Sequence, residues 1–134
     1  MLLGATPSAH AQAWPSKPIR YIVPFAPGGT TDILGRLIGP KLAEALGQPV
    51  VVENRPGAAG AVGAELLAKS APDGYTIGGG TISSHAINVT LYTKLPYDPV
   101  KDFAPITMLA TRPNMLVVHP SLNVSSVSEL IARC

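Results

Sequence analysis

Short β-branched apolar runs alternate along this chain with longer stretches in which apolar residues return every three or four positions. Ile19-Arg20-Tyr21-Ile22-Val23, bounded by Pro18 and Pro24, reads as a strand. The loop Phe25-Ala26-Pro27-Gly28-Gly29-Thr30-Thr31-Asp32 follows and ends in residue types that open helices. Ile33, Leu34, Leu37, Ile38, Leu42, Ala45 and Leu46 then recur at helical spacing. Pro40 lies inside that helix and is expected to kink it, because it removes one backbone donor; Gly47 is expected to stop it. Val50-Val51-Val52 has the pattern of a strand covered on both faces. After the loop Asn54-Arg55-Pro56-Gly57-Ala58-Ala59-Gly60, a second helix is predicted from Ala61 to Lys69, with Val62, Leu66 and Leu67 on one face. Ala71-Pro72-Asp73-Gly74 is a turn, and Tyr75 to Ile77 starts a third strand that runs into Gly78-Gly79-Gly80. The loop Thr81-Ile82-Ser83-Ser84-His85 precedes a short helix through Ile87 and Leu91. Lys94 to Pro105 is irregular, and Ile106 to Ala110 and Met115 to Val118 read as strands or as one strand bent near Arg112-Pro113.

The order βαβαβα implies a parallel sheet with right-handed crossovers, an α/β class. In such sheets ligands bind beyond the carboxyl ends of the strands. The loops at 24–32, 54–60 and 80–85 all follow strands, so they are expected to gather at one edge.

The termini read differently from the middle. Residues 1–13 carry no charge and end in the small-x-small pattern Ala11-Gln12-Ala13, as at a secretory cleavage site. The apolar run before it is short and has no basic leader, so a plain N-terminal tail is the alternative to a signal remnant. Cleavage near Ala13 leaves a mature chain starting at Trp14. At the other end, Ser126-Val127-Ser128-Glu129 has capping-box spacing, and the helix it opens has little room before Cys134. A truncated chain is expected.

Composition narrows the function classes. The 134 residues suffice for about one domain, and 46% are apolar. Only 13% are charged, about half the roughly 25% of an average globular chain. The net charge of +2 comes from scattered residues, with no basic cluster of the kind nucleic acid requires. One cysteine excludes an internal disulfide framework, and His10, His85 and His119 are too far apart in sequence to mark a metal cluster. No apolar stretch approaches the roughly 18 residues of a membrane span.

The loops carry the candidate chemistry. Pro27 to Asp32 joins a strand to a helix N-terminus, where free N–H groups and the helix dipole favour an anion and glycines admit it to the backbone. The alternative is an ordinary turn capped by Thr31 or Asp32. The loop matches neither nucleotide fingerprint. It has no lysine, and Asp32 would repel a dianion, so a singly charged carboxylate fits better than phosphate. Thr81, Ser83, Ser84 and His85 offer hydroxyls and an imidazole at a second helix start; the alternative is one capping serine and a histidine on the first turn. No acid or cysteine lies near them in sequence, so a Ser-His catalytic pair has little support. Arg55 is a candidate partner for an acid or a solvated side chain, and His119 before Pro120 reads as structural.

Trp14-Pro15-Ser16-Lys17-Pro18-Ile19 followed by Val23-Pro24-Phe25-Ala26-Pro27-Gly28-Gly29 and Asp32 resembles the start of a mature Bug-type protein. These are extracytoplasmic solute-binding proteins of tripartite tricarboxylate transporters. Gly47 to Ala58, Ala71-Pro72-Asp73-Gly74-Tyr75-Thr76 and Leu95-Pro96-Tyr97-Asp98-Pro99-Val100-Lys101-Asp102-Phe103 are similar to three further signatures, in order, so the resemblance runs from Trp14 to about Ile131.

That resemblance implies a type II-like periplasmic-binding-protein fold, two α/β lobes closing on a ligand. Residues 1–13 would be a signal remnant, 14–111 the first part of lobe 1, and 112–134 the crossover and start of an incomplete second lobe. The implied ligand is a small carboxylate: a di- or tricarboxylate, an amino acid or an aromatic acid. The implied ligand residues are Phe25, Pro27, Gly28, Gly29, Thr30 and Thr31 in one loop and Thr81, Ser83, Ser84 and His85 in another. Asp32, Pro56 and Gly57 would shape or cap loops. No cofactor, metal or catalytic residue is implied. The protein would be periplasmic, and its partners would be the transporter's membrane subunits or a sensor protein, and not nucleic acid. The rival reading is an α/β enzyme acting on a phosphorylated or acyl substrate.

Overall fold

A computed structural model describes residues 13–133; residues 1–12, which hold most of the expected signal remnant, and Cys134 lie outside the described residues. Three parallel strands form the sheet: β1 (Ile19–Val23), β2 (Val50–Asn54) and β3 (Thr76–Gly78), in the order β2-β1-β3. Helices α1 (Thr30–Leu46) and α2 (Ala61–Ala68) make the crossovers, as the alternation of periods predicts. β1 is central because its β-branched and aromatic residues suit a position covered on both sides; Ile19, Tyr21, Ile22 and Val23 are all buried. Each such side chain contributes about 1.5–3 kcal/mol by leaving water. Tyr21 stands opposite Val52 on one side and Ile77 on the other.

α1 packs on β1 and β2, and α2 packs on β3 and β1. α1 makes its closest approach through small residues, with Leu34, Ile38 and Leu42 half-buried beside them. Gly35 and Gly39 are buried, whereas Ile33 and Leu37 are 59% and 61% exposed. The reason is the bulk of the sheet: a methyl group at Gly35 would lie 2.9 Å from Tyr21 Cε1 and 3.4 Å from Val23 Cγ2. α1 is one continuous helix through Pro40, and Gly47, at φ 69°, ends it with its N–H on the Ala43 carbonyl at 2.9 Å.

The same preference governs α2. Ala61, Gly63 and Ala64 are buried, while Val62, expected on the inner face, is exposed. A methyl at Gly63 would meet Pro24 Cα at 2.6 Å, so α2 lies directly on the chain leaving β1.

Two strand expectations are corrected. β2 is an edge strand: Val50 and Val52 face α1 at Gly39, and Val51, on the other face, is exposed. The segments at 106–110 and 115–118 form no strand; Ile106, Met108, Met115 and Val117 are exposed. Strand-like composition becomes strand only when a neighbouring strand pairs with it, and among the described residues this stretch has no ladder partner. Beyond it, α4 (Val127–Ile131) begins with Ser126 Oγ accepting the Glu129 N–H at 3.2 Å, while the Glu129 carboxylate accepts from Ser125 N–H at 2.7 Å instead of closing the box on Ser126.

At the amino ends of the strands, Trp14 lies over Gly74, donates its indole N–H to the Asp73 carbonyl at 3.2 Å, and tilts against Tyr75. Lys17 pairs with Asp73 at 3.4 Å above the Tyr75 ring. This clasp holds the start of β1 at the edge opposite the polar loops.

Candidate functional site

β1, β2 and β3 all end at the same edge, and the loops that follow them meet there. The Asn54 side-chain amide, at the end of β2, donates to the Phe25 carbonyl at 3.1 Å and to Asp32 Oδ1 at 2.9 Å. A methyl at Gly60 would touch the Phe25 ring at 3.0 Å. Asn88, fully buried in α3 (Asn88–Leu91), donates to the Ala59 carbonyl at 3.2 Å. The gathering expected from parallel topology is therefore present in detail.

The first loop ends at Gly29, the N-cap of α1, and no side chain caps the helix. Thr31 and Asp32, the sequence candidates for a cap, lie inside its first turn. Gly28 takes φ 83°, a left-handed conformation suited to glycine, and gives its N–H to Asp32 Oδ2 at 2.9 Å. The first-turn N–H groups thus stay open, at the positive end of a 17-residue helix. Pro27, Gly28, Gly29 and Thr30 are exposed around them; Phe25 and Thr31 are half-buried.

Asp32 is buried and neutralised where it stands. Arg36, one turn on, reaches it at 3.0 Å, and Asn54 and the Gly28 N–H complete its shell. The Arg36 hydrogen bond first, then the Gly28 N–H and the Asn54 amide, lower its pKa to about 2. The repulsion that Asp32 alone would exert on a dianion is thus offset by Arg36.

The second loop is held in a strained form. Ala58 and Ala59 take φ 45° and 52°, and Gly57 takes φ 139°. Left-handed alanines cost about 1–2 kcal/mol each. Gly57 closes the turn by accepting the Gly60 N–H at 2.9 Å, and Pro56 before it is exposed. Arg55 is turned away to Glu53 at 2.9 Å, and Glu53 also takes a two-pronged pair from Arg20 at 2.7 and 3.0 Å. These partners, Arg20 first, lower the Glu53 pKa to about 2.

The third loop is shorter than its sequence implies, because Ser83, Ser84 and His85 already belong to a π-helical turn, Ser83–Ile87, leading into α3. Thr81 and Ser84 cap each other: the Thr81 N–H donates to Ser84 Oγ at 3.1 Å and the Ser84 N–H to Thr81 Oγ1 at 3.3 Å. Ser84 is fully buried, with Oγ also 2.9 Å from His85 Nδ1. Its hydroxyl is committed to the turn, whereas Thr81, Ser83 and His85 are half-buried and line the edge. Burial lowers the His85 pKa and favours the neutral ring. Among the described residues the hydrogen-bond partner of His85 Nδ1 is Ser84 Oγ, and no carboxylate bonds to the ring.

Residues outside the predicted set complete the arrangement. Tyr97 is buried and donates to the Ser84 carbonyl at 2.5 Å; Phe103 meets His85 edge-on at 4.6 Å and Tyr97 at 5.6 Å. These aromatics back the third loop. Arg36, at the i+4 spacing from Asp32, was discoverable from sequence; Asn54 and Asn88 were not, because their partners are 22 and 29 residues away. Two grooves lie elsewhere, one lined by Lys17, Arg20 and Asp73 and one by Arg36, Pro40 and Val50 between α1 and β2.

The chain is similar to known proteins in sequence and in fold. The family model described as tripartite tricarboxylate transporter family receptor matches residues 34–134. Protein BugT of Bordetella pertussis is 42% identical over 132 residues, covering 98% of this chain and 40% of BugT. An R. palustris protein solved with adipate is 45% identical and superposes with a TM-score of 0.82 over 90% of this chain and 40% of its own. MatC from Rhodopseudomonas palustris with bound malate is 38% identical, with a TM-score of 0.83 over 90% of this chain and 41% of its own. The chain spans about two fifths of the length of these relatives. Their periplasmic-binding-protein architecture is the α/β arrangement seen here, and the chain belongs to the tripartite tricarboxylate transporter receptor family.

Proposed function

We propose that the natural gene product carrying this sequence is an extracytoplasmic solute-binding receptor that captures a small carboxylate for a tripartite tricarboxylate transporter. The observation that carries this reading is the uncapped mouth of α1, with exposed Gly28, Gly29 and Thr30 around open N–H groups at the strand-end edge. Thr30 and Thr31 would hold one carboxylate through main-chain amides, with Gly28 and Gly29 leaving the approach open and Phe25 and Pro27 as apolar walls. Thr81, Ser83 and His85 would contact the remainder of the ligand, and Asp32, Pro56 and Gly57 would fix the loops. That two relatives were solved with adipate and with malate supports a dicarboxylate. Residues 14–111 would be the first part of one lobe and 112–134 the crossover towards a second. Cleavage near Ala13, a periplasmic location and delivery to membrane subunits complete the proposal; among the described residues no helix is long and apolar enough to cross a membrane.

A thermal-shift screen of the natural gene product tests it. Malate, succinate, adipate or citrate should raise the melting temperature, because a ligand of the folded state stabilises it. Stabilisation by phosphorylated compounds alone, with none from carboxylates, contradicts the reading.

A further inference from the structure

Tyr21 has unfinished hydrogen bonding at the centre of the sheet. It stands on β1 beneath α1 and is 3% exposed, with its ring edge against Gly35. Its hydroxyl is enclosed and has no hydrogen-bond partner among the described residues. Such orphans are rare in folded proteins, because a buried donor without a partner is costly. Phenylalanine would fill nearly the same space with no orphan.

The position of the hydroxyl gives it a use. A methyl added at Gly79, just past β3, would lie 3.3 Å from the hydroxyl oxygen and 2.6 Å from Thr31 Cγ2. The hydroxyl therefore sits under the junction between the end of β3 and the Thr31 side chain in the first turn of α1. The gap between Gly79 and Thr31 is closed as it stands, so entry of an oxygen there requires the Thr31 methyl to move aside to another rotamer. Burial pushes the phenol above its usual range, so it is a protonated donor near neutral pH.

We propose that Tyr21 is a ligand-binding residue of the α1 site: its hydroxyl donates to a carboxylate oxygen that enters between Thr31 and Gly79, and it gains a partner only in the bound state. This rests on the carboxylate reading above. It predicts a split between stability and affinity that a merely structural tyrosine does not show.

The test is Tyr21→Phe in the natural gene product, melted without ligand and titrated calorimetrically with malate and adipate beside the wild type. The ligand-free melting temperature should stay the same or rise, and the Kd for the bound dicarboxylate should increase about tenfold, the scale of one hydrogen bond to a charged group. Unchanged affinity in Tyr21→Phe, with the wild type binding, overturns the role of Tyr21 and leaves the carboxylate site standing. A lower ligand-free melting temperature shows that the hydroxyl is already paired and also overturns it. Absence of carboxylate binding by the wild type overturns both readings.

Discussion

Asn54 at the end of β2 donates its side-chain amide to Asp32 in the first turn of α1 at 2.9 Å, and to the Phe25 carbonyl at 3.1 Å. One side chain thereby ties a strand end, a loop and a helix start. Asn54→Ala leaves the carbonyl and one carboxylate oxygen short of a donor. It should cost about 1–3 kcal/mol in urea denaturation. A variant as stable as the wild type would show that the loop holds its shape without this link.

The acid limb of stability should be steep. Asp32 and Glu53 both have their pKa values lowered to about 2, from ordinary values of 3.8 and 4.5, chiefly by hydrogen bonds from Arg36 and Arg20 respectively. A depressed carboxylate stabilises the fold above its unfolded value, and that contribution is lost as pH falls towards the folded value. Stability should therefore drop between about pH 4.5 and 2. Asp32→Asn should flatten this limb as well as lower the plateau. Parallel profiles for the variant and the wild type would contradict the Arg36–Asp32–Asn54 network.

The second loop should tolerate glycine better than its own residue. Ala59 at φ 52° carries left-handed strain that glycine does not, against a greater entropy loss on folding. Ala59→Gly is expected to stabilise the protein by up to about 1 kcal/mol, read as a rise in melting temperature. A clear fall would mean that the alanine methyl makes contacts worth more than the strain.

Much of the fold was legible in the sequence, for reasons that particular residues illustrate. Ile19 to Val23 between two prolines, the helical spacing after Ile33 and the stop at Gly47 each combine a period with a boundary. Parallel topology then brought the three loops to one edge without further information. The buried faces of α1 and α2 were not legible, because hydrophobicity points to Ile33, Leu37 and Val62, while the sheet's bulk selects Gly35, Gly39 and Gly63. The segments at 106–118 differ from expectation because composition reports strand preference and cannot report whether a neighbouring strand pairs with it. At the site, the glycine-threonine helix mouth was visible as a motif. The burial of Ser84 and the partners of Asn54 were not, because long-range packing decides them.

Gly29 offers the most direct measurement of the central claim. Its φ of −76° suits any residue, and an added methyl would meet only the Ala26 carbonyl, at 3.5 Å. A Cβ there is accommodated by the fold, and the two methyls that valine adds to it are expected to cover the approach to the open N–H groups of α1. Calorimetric titration of the natural gene product with malate or adipate should show binding by the wild type. In Gly29→Val the affinity should fall at least tenfold, the scale of losing one charge-assisted hydrogen bond, while the ligand-free melting temperature changes little. Equal affinity in the two proteins would contradict the assignment of the carboxylate to the mouth of α1.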